Sequence, residues 1–299
     1  MAAKIRRLKI IAALTIAISF TIVLLAPSPV VPAAAYVVGS GEAPLSVDVS
    51  SFEPQSMVDD ANELAAELFG NDQKKCHDYV SQLLATYLAA KDKDIVIIFN
   101  SGGFGWTPLE ETPEGQDFAN SIESELAALG YSSLMLNYFR TAETLNGCLS
   151  EFMAEADLYP SRAKDLALRV EFLTDHIPGI KVILAGQSNG SSICERVMRI
   201  LKDNQQVYSI QLGPPFWVDT MELDRSLVLR SNGEILDSFS HGDLITIIRA
   251  NLGSIFGISE DNQGKILLYI GAPGHDYSWD DHEEIRSQII NSLNMWFGD

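Results

Sequence analysis

Apolar residues in this chain fall into short blocks separated by stretches with helical spacing. Ile95-Val96-Ile97-Ile98-Phe99 is an unbroken β-branched run, the pattern of a strand covered on both faces. Similar runs occupy 132–138, 181–185, 207–212, 226–230 and 265–270. Between them, helical spacing appears at 116–129, 161–176, 190–203, 243–252 and 281–297. Two further helical patterns precede the first strand. Val58, Ala61, Leu64, Ala65 and Leu68 form one, closed by Gly70; Tyr79, Val80, Leu83, Leu84, Tyr87 and Leu88 form the other. Apolar strands alternating with helices predict an α/β fold. The expectation is a mostly parallel sheet of about six strands with helices on both faces, preceded by N-terminal helices.

The first 35 residues carry a different pattern. Lys4, Arg6, Arg7 and Lys9 precede an uncharged apolar run from Ile10 to Ala26, and Pro27, Pro29, Pro32 and Ala33-Ala34-Ala35 follow. A basic head, an apolar middle and small residues at the end predict an export signal over 1–35, cut before Tyr36. The alternative is an uncleaved membrane tether through 10–26, whose 17 residues are the lower limit for a span. Residues 36–55, with Gly39, Gly41, Pro44 and Pro54, read as a linker, and 56–299 as a single domain.

Composition narrows the function. The chain has 299 residues, 46% hydrophobic and 20% charged, enough to bury a full core. Its 21 Lys plus Arg against 40 Asp plus Glu give a net charge of −19. Loss of the basic head would leave it more acidic still. Such a surface repels phosphate backbones, so no nucleic-acid partner is expected. Three cysteines do not make a disulfide framework; Cys76 and Cys148 are free to pair after export, or all three are buried thiols.

Chemistry in a parallel sheet collects at the carboxyl ends of its strands. The strand over 181–185 runs into Gly186-Gln187-Ser188-Asn189-Gly190, a G-x-S-x-G between a strand and a helix. That setting makes Ser188 a candidate nucleophile; the plainer reading is a helix N-cap. The strand over 265–270 leads to Gly271-Ala272-Pro273-Gly274-His275, which makes His275 a candidate base. His77 and His176 fall on helices. His282 stands among Asp280, Asp281, Glu283 and Glu284, but no metal-ligand spacing appears, and acids in a first helical turn suit the helix dipole. No metal or cofactor is expected. After the strand over 95–99 comes Asn100-Ser101-Gly102-Gly103-Phe104-Gly105-Trp106, a glycine loop able to turn N–H groups toward an anion.

Taken together, the glycine loop, serine elbow and terminal histidine resemble the α/β-hydrolase family across roughly residues 94–299. The resemblance implies a Ser-acid-His triad with Ser188 as nucleophile and His275 as base. It also implies an oxyanion site in the Gly103-Phe104 segment, with the N–H groups of Phe104 and Asn189 as donors. Gly102 stands where that family usually has His, and helices stand where its first strands would be. For the acid, Glu234, Asp237 and Asp243 all follow the strand over 226–230. Asp237 is placed first, because its position four residues after Gly233 resembles the family's glycine-then-aspartate spacing, stretched by one residue; Asp243 is placed second, because it opens a helix and suits a cap. The implied activity is hydrolysis of a small or medium carboxylic ester, with lipid or thioester next and peptide last. Trp106, Phe216, Trp217 and Trp279 are candidates to line the pocket, and 139–160 to form a small lid. The competing class is a non-catalytic binding protein on the same scaffold.

Overall fold

Strand β2 (Ile95–Asn100) lies at the middle of the fold, wholly buried along its length. The computed structural model describes residues 35–38, 45–111, 115–141, 143–156, 159–255 and 271–298. Within them one sheet runs in the order β1-β3-β2-β4-β5-β6. Its other strands are β1 (Ala35–Val38), β3 (Ser133–Phe139), β4 (Lys181–Gln187), β5 (Val207–Leu212) and β6 (Ser226–Leu229). All neighbours pair in parallel except β1, which joins the β3 edge antiparallel with Ala35 opposite Phe139.

Alternation along β2 explains the layers, because successive side chains point to opposite faces. Val96 and Ile98 join Leu136, Val182 and Leu184 on one face. That face is covered by α5 (Pro160–His176) and α6 (Asn189–Ile200), through residues such as Leu166, Val170 and Val197. Ile95, Ile97 and Phe99 join Ile183 and Ile210 on the other. There α3 (Gly115–Ala128) and α9 (Glu283–Phe297) supply Ile122, Leu126, Ile289 and Leu293. A fully buried residue such as Ile97 is worth about 2–5 kcal/mol against truncation to Ala. The N-terminal helices α1 (Gln55–Phe69) and α2 (Gln73–Ala90) form an outer layer, meeting Phe172 of α5 in a third apolar cluster. The fold is therefore α/β, as the alternation of patterns implies.

The stretch read as a linker holds an edge strand and a docked segment: Val47 exchanges hydrogen bonds with Ser81 of α2, at 2.9 Å to its N–H and 2.6 Å from its carbonyl. Four residues of β1 carry too short a pattern to announce a strand, and their place depends on β3. The strand expected at 265–270 and the export signal (except Ala35, which opens β1) lie outside the described residues. Cys76 is a free thiol whose Sγ faces the Ala65 and Gly70 carbonyls, so it does not pair with Cys148. Among the described residues no helix is long and apolar enough to cross a membrane.

The strand order also places the site. From β2 the chain crosses to β3 on one side, then to β4 on the other. The carboxyl ends of β2 and β4 therefore flank the crevice where connections diverge, the usual ligand position in an open parallel sheet. Asn100 at the end of β2 is in register with Gly186 near the end of β4.

Candidate active site

Ser188 sits at φ +53° and ψ −119°, between β4 and α6. A non-glycine residue there costs about 1–3 kcal/mol and persists only where its surroundings hold it. They do so here. The Ser188 N–H donates to the Leu212 carbonyl at 2.8 Å. Ser191 Oγ ties the Gly186 and Leu212 carbonyls together at 2.7 and 3.0 Å. The flanking glycines leave no room for a side chain. A Cβ on Gly190 would stand 2.0 Å from the Asn100 carbonyl oxygen, and one on Gly186 would stand 2.7 Å from Cys194 Sγ. The result is a strained serine at the N-terminus of α6, where unpaired N–H groups favour negative charge.

His275 lies in the loop before α9, and its Nδ1 is 2.7 Å from Asp237 Oδ2. Asp237 is wholly buried and caps α7 (Ser238–His241), with Oδ1 accepting the N–H groups of Phe239 and Ser240 at 2.8 and 3.2 Å. Oδ2 also accepts the hydroxyls of Tyr277 and Ser240, each at 2.7 Å. Burial pushes this carboxyl up, but the His275 bond and charge and the Tyr277 and Ser240 bonds outweigh it, leaving it below the usual range. Tyr277, buried beside that carboxylate, is pushed the other way. The two loops press together at Gly274, whose φ is +79°; a Cβ there would stand 2.6 Å from the Leu236 carbonyl oxygen.

The dipeptide Leu212-Gly213 joins the two halves. Leu212 holds the Ser188 N–H, and a Cβ on Gly213 would stand 2.6 Å from His275 Cε1. Of the other acids, Asp243 caps α8 (Leu244–Ile255), accepting Thr246 N–H at 3.2 Å and its hydroxyl at 2.6 Å. Glu234 is exposed in the turn shaped by Asn232. Neither is bonded to His275.

The glycine loop packs onto the elbow: a Cβ on Gly102 would stand 3.2 Å from Ser188 Cβ. Asn189 Nδ2 donates to the Gly103 carbonyl at 3.4 Å. Neither the Phe104 nor the Asn189 N–H donates to a main-chain carbonyl among the described residues. Beneath the loop lies Arg140, paired with Glu151 at 2.8 Å, both wholly buried. Burial works against the Arg140 charge, and the Glu151 carboxylate more than restores it.

The described geometry is a strained serine and, across the Leu212-Gly213 dipeptide, a histidine bonded to a buried carboxylate; among the described residues no hydrogen bond joins Ser188 Oγ to His275. No described protein family matches the chain, and no curated protein matches it by sequence. Among solved structures it is similar to a Trichoderma reesei cutinase in complex with a C11Y4 phosphonate inhibitor. The identity is 11% and the TM-score 0.39, over 82% of this chain and 94% of that one.

Around the site the aromatic candidates divide. Phe216, Trp217 and Phe239 form edge-to-face pairs leading to the His275 ring, with centroids 4.9, 5.3 and 5.1 Å apart in turn. Phe104 and Trp106 stack at 4.8 Å on the glycine-loop side. Trp279 does not line the crevice; it is buried against Phe118 of α3, because its loop folds back over the sheet face. The lid segment holds helix α4 (Leu145–Ala156), which carries Glu151 beneath the loop. His282 precedes α9, with Nε2 3.4 Å from Asp276 and 3.5 Å from Asn232. His176 bonds the Phe172 carbonyl and Asp60. Sequence reasoning passed over Tyr277, Ser240, Arg140, Thr141 and Glu151. The one usable signal was a lone arginine directly after a buried strand in a cation-poor chain.

Proposed function

We propose that the protein is an exported serine hydrolase that cleaves a carboxylic ester through an acyl-enzyme on Ser188. The observation that carries this reading is the 2.7 Å bond from His275 to the buried Asp237, with only the Leu212-Gly213 dipeptide linking that ring to a serine held at positive φ. Asp237 fixes the proton on Nδ1, which leaves Nε2 as the base. Ser188 Oγ attacks the ester carbonyl as its proton passes to Nε2. The carbonyl oxygen takes the negative charge and is met by the N–H groups of Phe104 and Asn189. The intermediate collapses, the C–O bond to the alcohol breaks, and the imidazolium returns its proton to the leaving alkoxide. Water, deprotonated by the same nitrogen, then releases the acid and restores Ser188.

The aromatic groups on both sides of the crevice support an apolar acyl or alkyl group of modest size, with lipid or thioester substrates next. Export rests on the basic-apolar-small pattern of residues 1–35, with the tether through 10–26 as its alternative. The test is hydrolysis of p-nitrophenyl esters from acetate to laurate by the wild type and by Ser188→Ala. Turnover by the wild type that falls to background in the variant supports the reading. No turnover by folded wild type against any chain length, or turnover that survives in Ser188→Ala, overturns it.

A further inference from the structure

The glycine loop has no sequence of its own that would hold it still. Gly102, Gly103 and Gly105 give it wide conformational freedom, and Gly103 and Gly105 sit at φ +53° and +77°. Beyond its own Gly105 N–H on the Gly102 carbonyl at 3.2 Å and Asn189 Nδ2 on the Gly103 carbonyl at 3.4 Å, it is held by the residues just past the end of β3. Arg140 Nη1 donates to the Ser101 carbonyl at 2.7 Å, and Nη2 to the Gly103 carbonyl at 3.2 Å. The Arg140 N–H donates to the Gly105 carbonyl at 2.9 Å. Thr141 Oγ1 donates to the Phe104 carbonyl at 2.6 Å. Ser101, Gly103, Phe104 and Gly105 thus all turn their carbonyls toward β3. The loop lies directly on the guanidinium, since a Cβ on Gly105 would stand 2.4 Å from Arg140 Cζ.

The Arg140 bonds have a geometric consequence. In a trans peptide the carbonyl of one residue and the N–H of the next point in opposite directions. The only cis bond among the described residues is Glu53–Pro54. Pinning the Gly103 carbonyl on Arg140 therefore aims the Phe104 N–H away from Arg140. Pinning the Ser101 carbonyl does the same for the Gly102 N–H, and Gly102 is the residue packed against Ser188. Arg140 cannot swing away, because its Nε is bonded to Glu151 Oε1 at 2.8 Å in full burial. A planar guanidinium serves all three acceptors at once, whereas a lysine ammonium cannot match that fork.

We propose that Arg140, anchored on Glu151, is a positioning residue for the oxyanion site: it turns the Ser101 and Gly103 carbonyls inward and so fixes the loop N–H groups where the substrate oxygen gains charge. This rests on the ester-hydrolase reading above. Donors fixed in advance need no rearrangement as charge develops, so the effect falls on the transition state and not on substrate binding.

Arg140→Lys keeps the charge and loses the fork. We expect its kcat for a p-nitrophenyl ester to fall by about 10²-fold, with KM changed by no more than about twofold. A boronic acid, whose adduct on serine is tetrahedral and anionic, should lose affinity by a matching factor. Wild-type turnover is measured first. If folded wild type turns over nothing, the hydrolase reading and this proposal fall together. If wild type is active and folded Arg140→Lys keeps its kcat and boronate affinity, this proposal alone is overturned, whatever the change in melting temperature. Should Arg140→Lys not fold, Glu151→Gln, which keeps the shape and takes away the charge that anchors the Arg140 guanidinium, carries the test. A fall in kcat of about tenfold at constant KM supports the proposal, and an unchanged kcat overturns it.

Discussion

Asp237 Oδ2 receives the His275 Nδ1–H at 2.7 Å, while its other oxygen caps the short helix that follows. One buried carboxylate therefore orients the ring and fastens the loop that carries it. The two roles sit on different oxygens, so they can be separated.

Asp237→Asn can keep Oδ1 as the cap but presents an amide donor where His275 now donates. The Tyr277 and Ser240 hydroxyls can rotate to accept from it, but the Nδ1–H cannot. The ring must change tautomer or turn. We expect kcat to fall by about 10⁴-fold in a folded protein. Asp243→Asn keeps a capping oxygen on an exposed helix and should leave both kcat and melting temperature near wild type. Steady-state kinetics and thermal melts of the pair check this; an inactive Asp243→Asn with an active Asp237→Asn would reverse the assignment.

The elbow makes a second demand. Gly190→Ala places a methyl 2.0 Å from the Asn100 carbonyl oxygen, so β2 and α6 must part. Overpacking of this kind costs about 3 kcal/mol or more. A drop in melting temperature of about 6 °C or more is expected from the scaling of stability with chain size. Ser188-dependent turnover should be lost with it. A wild-type melt for Gly190→Ala contradicts the packing described here.

How much of this was legible in the sequence depended on distance along the chain. The elbow was readable because glycine, serine and glycine stand within five residues between two strong patterns. The acid was readable only as a choice of three, since capping was counted against Asp243 although Asp237 caps a helix as well. Arg140 was not readable as part of the site. It meets Ser101 across 39 positions and Gly103 across 37, contacts that arise only when β2 and β3 pair. Strand β1 was missed for the same reason, its four residues being defined by the partner strand. Trp279 was misplaced because an aromatic residue in a loop looks the same whether the loop faces the crevice or folds back onto the core.

Glu155, on α4, gives a pH-dependent prediction. Burial first, then the Glu151 charge, pushes its carboxyl up to about 7 from an ordinary 4.5, against the opposing pull of Arg140 and Asn189. The folded state thus holds this proton more tightly than the unfolded chain does. Its contribution to stability is full below the ordinary value and is lost as pH rises to about 7. Melting temperatures of wild type and Glu155→Gln, measured from pH 4 to pH 8, should therefore differ in slope: the variant loses less stability across that interval. Parallel curves would show that Glu155 titrates alike in both states.

The proposed role of Ser188 is that of a nucleophile activated by His275 and Asp237. Its most direct test is intact-mass and peptide-mass analysis after exposure to a fluorophosphonate. We predict one adduct per chain, on the peptide bearing Ser188, absent in Ser188→Ala and formed far more slowly in Asp237→Asn. A folded wild-type protein that gains no adduct, or gains it on another serine, would contradict the account.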